Sequence, residues 1–340
     1  MEDWRGALRG DPLPWLLDEE TPAVRHLALR MLLGESEDAL VVRRARSAAM
    51  RSGPIAAILD AQEPEGWWVK PGPGYAPKYT GTVWSVIFLD RLGADGRDAR
   101  VARACRYVLE HTQATNGGFA ASGRIDASTP PPASSTIHCL NGNLLRAVIG
   151  FGWLDDPRVR RSIEWQSRSI TGEGFDGYLR SGTSGPGFAC AANDHLPCAW
   201  GAIKALRALA RVPPRRRGPH VRRAVDAGAA FLLSRDPSVA DYPMGYGNTR
   251  PNGSWFKLGF PSGYVTDVLE NLEVLCELGH GRDPRLANAL ELVGSMQGPD
   301  GRWRNRYAYN GKTWTDIERQ GAPSKWVTLR ACAVLKQALG

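Results

Sequence analysis

One apolar helical pattern recurs along the chain, and each copy ends in a short stop of the Leu-Gly type. The stops are Leu33-Gly34, Leu92-Gly93, Phe151-Gly152, Leu209-Ala210, Leu278-Gly279 and Leu339-Gly340. They are separated by 59, 59, 58, 69 and 61 residues. A glycine directly after a helix commonly takes the left-handed conformation that closes the last turn. The pattern therefore predicts six helix ends in register.

A second helix is predicted after several of these stops. Asp98-Ala-Arg-Val, Asp156-Pro-Arg-Val and Asp283-Pro-Arg-Leu are close copies of one another. Aspartate is a good N-cap, and proline suits the first helical position. The second helix is expected to end near a glutamine, and the glutamines in question are Gln62, Gln113, Gln166 and Gln297.

Each of these glutamines opens a third recurring element. The segments 62–68 and 297–303 fit the pattern Q-x3-G-x-W, and 113–119 fits it with phenylalanine in place of tryptophan. Gln166 leads into Gly174-Phe175, a looser copy. We expect the glutamine to cap the helix end, the glycine to let the backbone turn, and the ring to pack on the next hairpin.

The repeated unit is therefore helix, short turn, helix, Q-G-W turn and longer loop. Amphipathic hairpins of this kind bury their apolar faces by stacking on one another. The 340 residues, 43% hydrophobic and 23% charged, are enough for one large core. We predict an all-α fold, a single (α/α)6 toroid spanning 1–340, with repeats ending near 34, 93, 152, 210, 279 and 340. The longer loops and the N-termini of the inner helices would line one mouth.

The formal net charge of +8 comes largely from two arginine runs, at 43–46 and 215–223. We interpret both as solvated surface, with binding of an anion as the alternative. Neither run has the interleaved aromatic residues of a single-strand binder, so no nucleic-acid partner is expected. The start of the chain does not resemble a signal peptide, and no apolar run could span a bilayer. We therefore expect a cytoplasmic protein without stable membrane insertion, with six reduced cysteines.

The Q-x3-G-x-W turns, their spacing and the helical-hairpin repeat resemble the squalene-hopene cyclase and protein prenyltransferase β-subunit group over essentially the whole chain. The chain also resembles bacterial proteins with prenyltransferase or squalene-oxidase repeats around 139–143, Cys198 and 323–326. The resemblance implies a central cavity and an apolar, isoprenoid-like small-molecule substrate.

The chain also departs from this group. Its cationic cyclases protonate their substrate with an aspartate of a D-x-D-D motif, which does not occur here. Diphosphate-ionising synthases use D-D-x-x-D, and Asp155-Asp156 fails the last position of that motif. Triterpene cyclases are also about twice this length, with two barrels. The sequence is therefore interpreted as a single-ring member that is not an ordinary triterpene cyclase.

Cysteines and histidines cluster when the inner helices are aligned by their stops. Cys139 lies 13 residues before Gly152, and Cys198 lies 12 residues before Ala210, so both fall in one layer. Thiolates with imidazole favour Zn²⁺ in a tetrahedral site. The predicted zinc ligands are Cys139, Cys190, His195 and Cys198, and Asp194 or His138 is the candidate to replace one of them.

The resemblance implies a similar zinc site, because protein prenyltransferases hold Zn²⁺ at the mouth of such a ring with Asp, Cys and His. Their D-x-C spacing is D-x3-C here, at Asp194 and Cys198. Two alternatives stay open. Cys139 or Cys198 beside a histidine at a helix N-terminus could be a catalytic thiolate, or the cysteines could simply pack between helices.

Three further residues are predicted as catalytic candidates at the same mouth: Asp267, Tyr264 and Lys325. Asp267, 12 residues before Gly279, could be a general base or a further metal ligand, or it could only favour the helix dipole. Lys325 could hold an anion or form an ion pair, and Trp326 could line an apolar cavity or only pack.

Three functions follow from these candidates. The leading hypothesis is a zinc-dependent enzyme acting on an apolar substrate in the ring. The second is a carbohydrate-active enzyme that uses Asp267 with Glu270 or Glu318, because glycosidases need paired carboxylates. The third is a binding scaffold without catalysis.

Overall fold

The computed structural model describes residues 4–123, 129–174 and 184–340, and this part of the chain contains thirteen α-helices. They are α1 (Leu13–Leu16), α2 (Pro22–Met31), α3 (Leu40–Met50), α4 (Gly53–Asp60), α5 (Thr82–Arg91), α6 (Ala99–His111), α7 (His138–Gly150), α8 (Pro157–Thr171), α9 (Ala199–Ala210), α10 (Pro219–Leu232), α11 (Val268–Glu277), α12 (Ala287–Ser295) and α13 (Lys325–Leu339).

The helices form an inner and an outer layer that differ in burial. All ten residues of α5 are buried, whereas only one stripe of α6 is. A helix that is buried on every side lies inside a fold, and an amphipathic helix lies at its surface. The inner layer is α2, α5, α7, α9, α11 and α13, and the outer layer is α3, α4, α6, α8, α10 and α12.

The inner helices close into a ring. Successive inner helices are in contact: α5 with α7, α7 with α9, α9 with α11, α11 with α13, and α13 with α2. The side chain of Leu27 in α2 lies against Gly93 after α5, which completes the circle. The N-terminal segment packs on α13 with the buried side chains of Trp4, Leu13 and Leu16. These contacts confirm the predicted all-α toroid of six repeats.

The helix ends follow the predicted pattern. Gly34, Gly93, Gly152 and Gly279 have φ of +73°, +77°, +93° and +92°, and α9 ends at Ala210. The side chains of Asp98, Asp156 and Asp283 each accept a hydrogen bond from the backbone N–H two residues on. The stops and caps recognised in the sequence are therefore confirmed as local structure.

The turns that begin at Gln62, Gln113 and Gln297 share one geometry. Each glutamine Nε2 donates to the carbonyl of the glycine four residues later, at 3.4, 3.1 and 2.9 Å. Trp68 and Trp303 each donate their indole N–H over 2.7 Å to the carbonyl ten residues earlier, on the preceding outer helix. The turn thus fixes the indole side chain against the outer helix that precedes it.

The prediction that a helix ends near Gln166 is wrong. Gln166 lies within α8, which continues to Thr171 and ends at the left-handed Gly172. Its side chain contacts the inner helix α7, where Gln166 Nε2 lies 3.0 Å from Nδ1 of His138. Phe175, the aromatic residue of this looser copy, lies outside the described residues.

The arginine runs form ion pairs that are partly exposed to solvent. Arg216 pairs with Asp155, Arg223 pairs with Glu173, and Arg46 pairs with Glu37. All six cysteines are free thiols. Among the described helices, none combines the length and the apolar character needed to cross a bilayer.

Candidate functional site

The N-terminal ends of α7 and α9 lie side by side because glycines allow their backbones to approach. A Cβ at Gly142 would lie 2.2 Å from the carbonyl carbon of Lys204, so this crossing admits only glycine. Cys139 is the second residue of α7, and Cys198 is the N-cap of α9. The Cys198 sulfur accepts a hydrogen bond from the backbone N–H of Gly201 at 3.4 Å. The predicted common layer of Cys139 and Cys198 is therefore present.

A short hairpin adds Cys190 to this pair. Its backbone bridges are Ser184 to Cys190 and Ala189 to Pro197. The backbone N–H of His138 donates to Ser184 Oγ at 2.9 Å, and His138 Nε2 lies 2.9 Å from the carbonyl of Gly185. Because α7 holds the hairpin at both contacts, Cys190 is placed against the helix ends.

His138 supports the hairpin and is fully engaged in doing so. Gln166 Nε2 donates to His138 Nδ1, so we assign the ring proton to Nε2, which donates to Gly185. Burial lowers the pKa of His138 to about 4, and the ring is neutral at physiological pH. Both ring nitrogens are used, so His138 has no free lone pair to offer a metal ion.

The surroundings of Cys190 favour its thiolate form. Hydrogen bonding with the thiol of Cys198 is the main cause that lowers the pKa of Cys190 to about 6, and the backbone N–H groups of Ala192 and Asn193 add to this effect. The same bond raises the pKa of Cys198, while burial raises that of Cys139 to about 12. Of the three thiols, Cys190 is the one that ionises near neutral pH.

The three thiols open onto a cavity of about 380 Å³ at this mouth. We call it the aromatic cavity, because its walls include Tyr75, Trp200, Tyr242, Trp255 and Tyr264. The rings of Tyr75 and Tyr264 lie 5.8 Å apart, and Trp84 packs edge-on against Tyr264 at 5.0 Å. Tyr264, a predicted catalytic candidate, thus lies in the wall. A concave site with several aromatic residues in its wall suits an apolar small molecule.

His195, a predicted zinc ligand, lies apart from the lining of the aromatic cavity. It is exposed, and with Asp194 it forms a turn in which both residues have left-handed φ, +60° and +56°. Its nearby imidazole makes a smaller contribution to the lowered pKa of Cys190. Within the described ranges, no group of three or more His, Cys, Asp and Glu side chains is arranged to hold a metal ion. The three predicted thiols therefore line one cavity but are not arranged as a metal centre, and zinc binding stays a prediction.

Asp267, another catalytic candidate, is the N-cap of α11. Its carboxylate accepts hydrogen bonds from the backbone N–H groups of Glu270 and Gly259 at 2.8 and 3.0 Å, and it lies 3.7 Å from Arg330. Burial raises its pKa. Both oxygens are engaged by the fold, and the aromatic cavity is not lined by this residue.

Lys325 is held by the N-terminal segment. Its ammonium group lies 2.5 Å from Asp18 and 3.2 Å from Thr21, and 5.6 Å from the ring of Trp15. These contacts close the ring between α13 and the start of the chain. They correspond to the ion-pair alternative for this residue.

The carboxylates proposed for carbohydrate chemistry are engaged elsewhere. Glu270 is fully buried and pairs with Lys204 at 2.5 Å, Arg207 at 2.9 Å and Arg91. Glu318 accepts from the backbone N–H of Lys325 at 2.7 Å and so caps α13. Neither carboxylate lines the aromatic cavity.

A second cavity, of about 700 Å³, lies at the C-terminal ends of the inner helices. We call it the basic cavity, because eight arginines and five carboxylates line it. Trp326, which could have lined an apolar cavity, stacks on Phe260 at 4.4 Å and lines this one. The basic cavity was not predicted from the sequence. A usable signal was the presence of charged residues within inner helices that are otherwise apolar.

Comparisons with known proteins find likeness only at the level of overall structure. No family model and no curated protein matches the chain. The type II terpene cyclase MstE from Scytonema is similar with a TM-score of 0.46 and 16% identity, over 94% of this chain and 88% of that one. The GH76 α-mannanase BT2949 from Bacteroides thetaiotaomicron gives 0.45 and 9%, over 94% and 85%.

Proposed function

We propose that the protein is an enzyme that binds an apolar small molecule in the aromatic cavity and attacks it with the Cys190 thiolate. The observation that carries this proposal is the convergence of Cys190 and Cys198 at the wall of that cavity, where the neighbouring Cys198 lowers the pKa of Cys190. A thiolate is the reactive form of cysteine, and a nucleophile next to a bound substrate supports covalent catalysis.

The proposed step conserves atoms and charge within the pair. The Cys190 thiolate supplies the electron pair of a new carbon–sulfur bond to an electrophilic carbon of the substrate. The electrons of the broken bond depart with the leaving group, which takes the proton of Cys198. Cys198 is then the thiolate, and it is positioned by the N–H of Gly201.

The test uses two maleimides, one with a short alkyl chain and one with an octyl chain. Thiolate addition to the double bond is followed by mass spectrometry of the modified peptide at a series of pH values. We expect Cys190 to be labelled first, with a midpoint near pH 6, and faster by the octyl reagent because its chain enters the aromatic cavity. A midpoint in the ordinary range, at about 8.5, or no preference for the octyl chain, would overturn the proposal.

Three variants serve as controls. Cys190→Ser should abolish the fast labelling. Cys198→Ala removes the hydrogen bond and should move the midpoint to higher pH, whereas Cys198→Ser keeps a donor and should move it less. Cys332→Ser, which changes a fully buried thiol of α13, should leave the labelling unchanged.

The same experiment addresses the zinc hypothesis. Zinc content of the purified protein is measured beside the labelling. If Cys190 reacts only after a chelator has removed bound zinc, a zinc thiolate replaces the free thiolate as the reacting group. Labelling of metal-free protein that does not change on incubation with zinc supports the free thiolate.

A further inference from the structure

The basic cavity carries an excess of positive charge that its own carboxylates do not balance. Its arginines come from α2, α3, α5, α7, α9 and α13, with two more in the loops after α5 and α9. Several arginines lie beside carboxylates that they share: Arg330 binds Glu273 through two bonds of 2.8 Å, and Arg207 lies 3.1 Å from Glu273 and 3.5 Å from Glu277. The positive excess is most evident at one other part of the wall.

Arg146 and Arg211 share a single carboxylate. Arg146 of α7 pairs with Asp90, and Arg211 after α9 lies 3.5 Å from the other oxygen of Asp90. Arg211 is 37% exposed at its side chain, and it lines the cavity. Two guanidinium groups thus face one carboxylate at the wall of an open space.

Arg146 also has hydrogen-bonding capacity that the described residues do not use. It is 8% exposed, and its Nε is buried without a hydrogen-bond partner among them. Burial and then the nearby Arg211 and Arg207 hold the pKa of Arg146 well below its usual range. An anion beside Arg146 and Arg211 would offset the unfavourable charge of two neighbouring guanidinium groups in this buried setting.

We propose that the basic cavity is a second binding site, which takes a small molecule bearing a phosphate or diphosphate group between Arg146 and Arg211. The planar guanidinium group donates paired hydrogen bonds that match phosphate oxygens. The cavity is about 700 Å³, within the usual range for small-molecule sites and larger than the anionic group alone requires. The site lies at the end of the ring opposite the thiols, so the proposal does not rest on the thiolate chemistry.

The other titratable groups around the basic cavity do not cancel its excess of positive charge. His26 is neutral at physiological pH, because burial and then Arg46 and Arg30 lower its pKa to about 4. Asp95 lies 3.8 Å from Arg46 and is also paired with Arg97. Glu37 pairs with Arg30 at 3.2 Å and with Arg46. These carboxylates are already shared between arginines.

The test is calorimetric titration of the purified protein with inorganic diphosphate at low ionic strength. We expect saturable binding to the wild type that weakens as salt is added. Arg211→Gln should weaken it roughly tenfold, since one charge-assisted pair is lost. Arg222→Gln is the matched control, because Arg222 is an exposed residue of the outer helix α10 that carries the same charge and lies away from the cavity.

The control should bind within a factor of about two of the wild type, because salt screens a distant surface charge. Equal losses in Arg211→Gln and Arg222→Gln would show attraction by net charge alone and would overturn the proposal, as would no saturable binding to the wild type. Thermal melting of each variant without diphosphate checks that it is folded. Arg211 is partly exposed, so its substitution is expected to leave the fold intact.

Discussion

The two ends of the ring differ in chemistry although the same helices build both. At one end, Cys139, Cys190 and Cys198 open onto the aromatic cavity. At the other end, eight arginines and five carboxylates line the basic cavity. The first is suited to apolar molecules and the second to anions. One scaffold thus presents two cavities with different linings.

The direction of the inner helices helps to explain this difference. The N-terminal ends of α7 and α9 meet at the aromatic cavity, while the C-terminal ends of the inner helices meet at the basic cavity. Helix N-termini favour negative groups such as a thiolate, and helix C-termini favour cations such as arginine. The effect of each terminus is small and local, so it adds to the hydrogen bonds and ion pairs of each end.

A layer of buried ion pairs separates the two ends, and Glu270 is at its centre. It contacts Lys204 and Arg207 of the neighbouring helix α9 and Arg91 of α5 across the ring. Burial of this many charges is tolerated only because each has a partner. A substitution in this layer that leaves charges unpaired is therefore expected to destabilise the fold strongly.

The largest expected effect comes from Glu270→Gln. The substitution leaves Lys204, Arg207 and Arg91 without their shared carboxylate in a buried setting, and breaking such a network is unfavourable by about 3–5 kcal/mol. We expect the free energy of unfolding, measured by urea denaturation, to fall by this amount. Glu164→Gln removes a half-exposed ion pair with Arg168 within α8 and should change it by less than about 0.5 kcal/mol. Similar losses in the free energy of unfolding for both variants would show that the buried ion pairs of Glu270 do not stabilise the fold more than a surface pair does.

The next effect is a loss of stability in acid that both ends share. The pKa of His138, near the thiols, and that of His26, at the basic cavity, are each lowered to about 4 from 6.5. The unfolded chain therefore binds more protons between these values. The stabilisation is complete above pH 6.5 and is lost as the pH falls towards 4, by up to about 3 kcal/mol for each histidine.

The two histidines differ in cause, which allows the ends to be told apart. Burial is the main cause for both, but Arg46 and Arg30 contribute only at His26. Unfolding is measured between pH 4 and 7 for His138→Gln, His26→Gln and the wild type, at low and high salt. Each variant should lose its part of the pH dependence, and salt should reduce only the part that belongs to His26. An equal response to salt at both positions would show that neighbouring arginines do not distinguish His26 from His138.

The sequence was sufficient to predict the ring because its repeats are marked by local chemistry. Glycine stops, aspartate caps and glutamine turns act within a few residues of their own positions, as Gly93, Asp98 and Gln113 show. Alignment by these stops also placed Cys139 and Cys198 in one layer. Gln166 misled the prediction because its side chain binds His138 from the middle of α8 instead of capping a helix end.

The functional side chains depend on contacts between distant segments, and these were harder to predict. Cys190 is distinguished from the other thiols by its lowered pKa, which depends on Cys198, a residue brought close by the fold of the intervening segment. The basic cavity needs Asp90, Arg146 and Arg211 from three separate segments. No short motif marks either arrangement. The role of Asp267 as a cap depends on the backbone N–H groups of Gly259 and Glu270 around it.

The smallest expected effect tests whether the helix caps near the basic cavity stabilise the fold through hydrogen bonds or through charge. Asp98 caps α6 by accepting from the N–H of Arg100 at 2.8 Å. Asp98→Ala should lower the free energy of unfolding by about 1 kcal/mol, and Asp98→Asn, which keeps an acceptor, by less. Asp155→Ala removes an exposed carboxylate that pairs with Arg160 and Arg216, and should have a smaller effect that disappears in salt. Equal losses for Asp98→Ala and Asp98→Asn in urea denaturation would show that the charge of Asp98, rather than its hydrogen bond, stabilises this end of the ring.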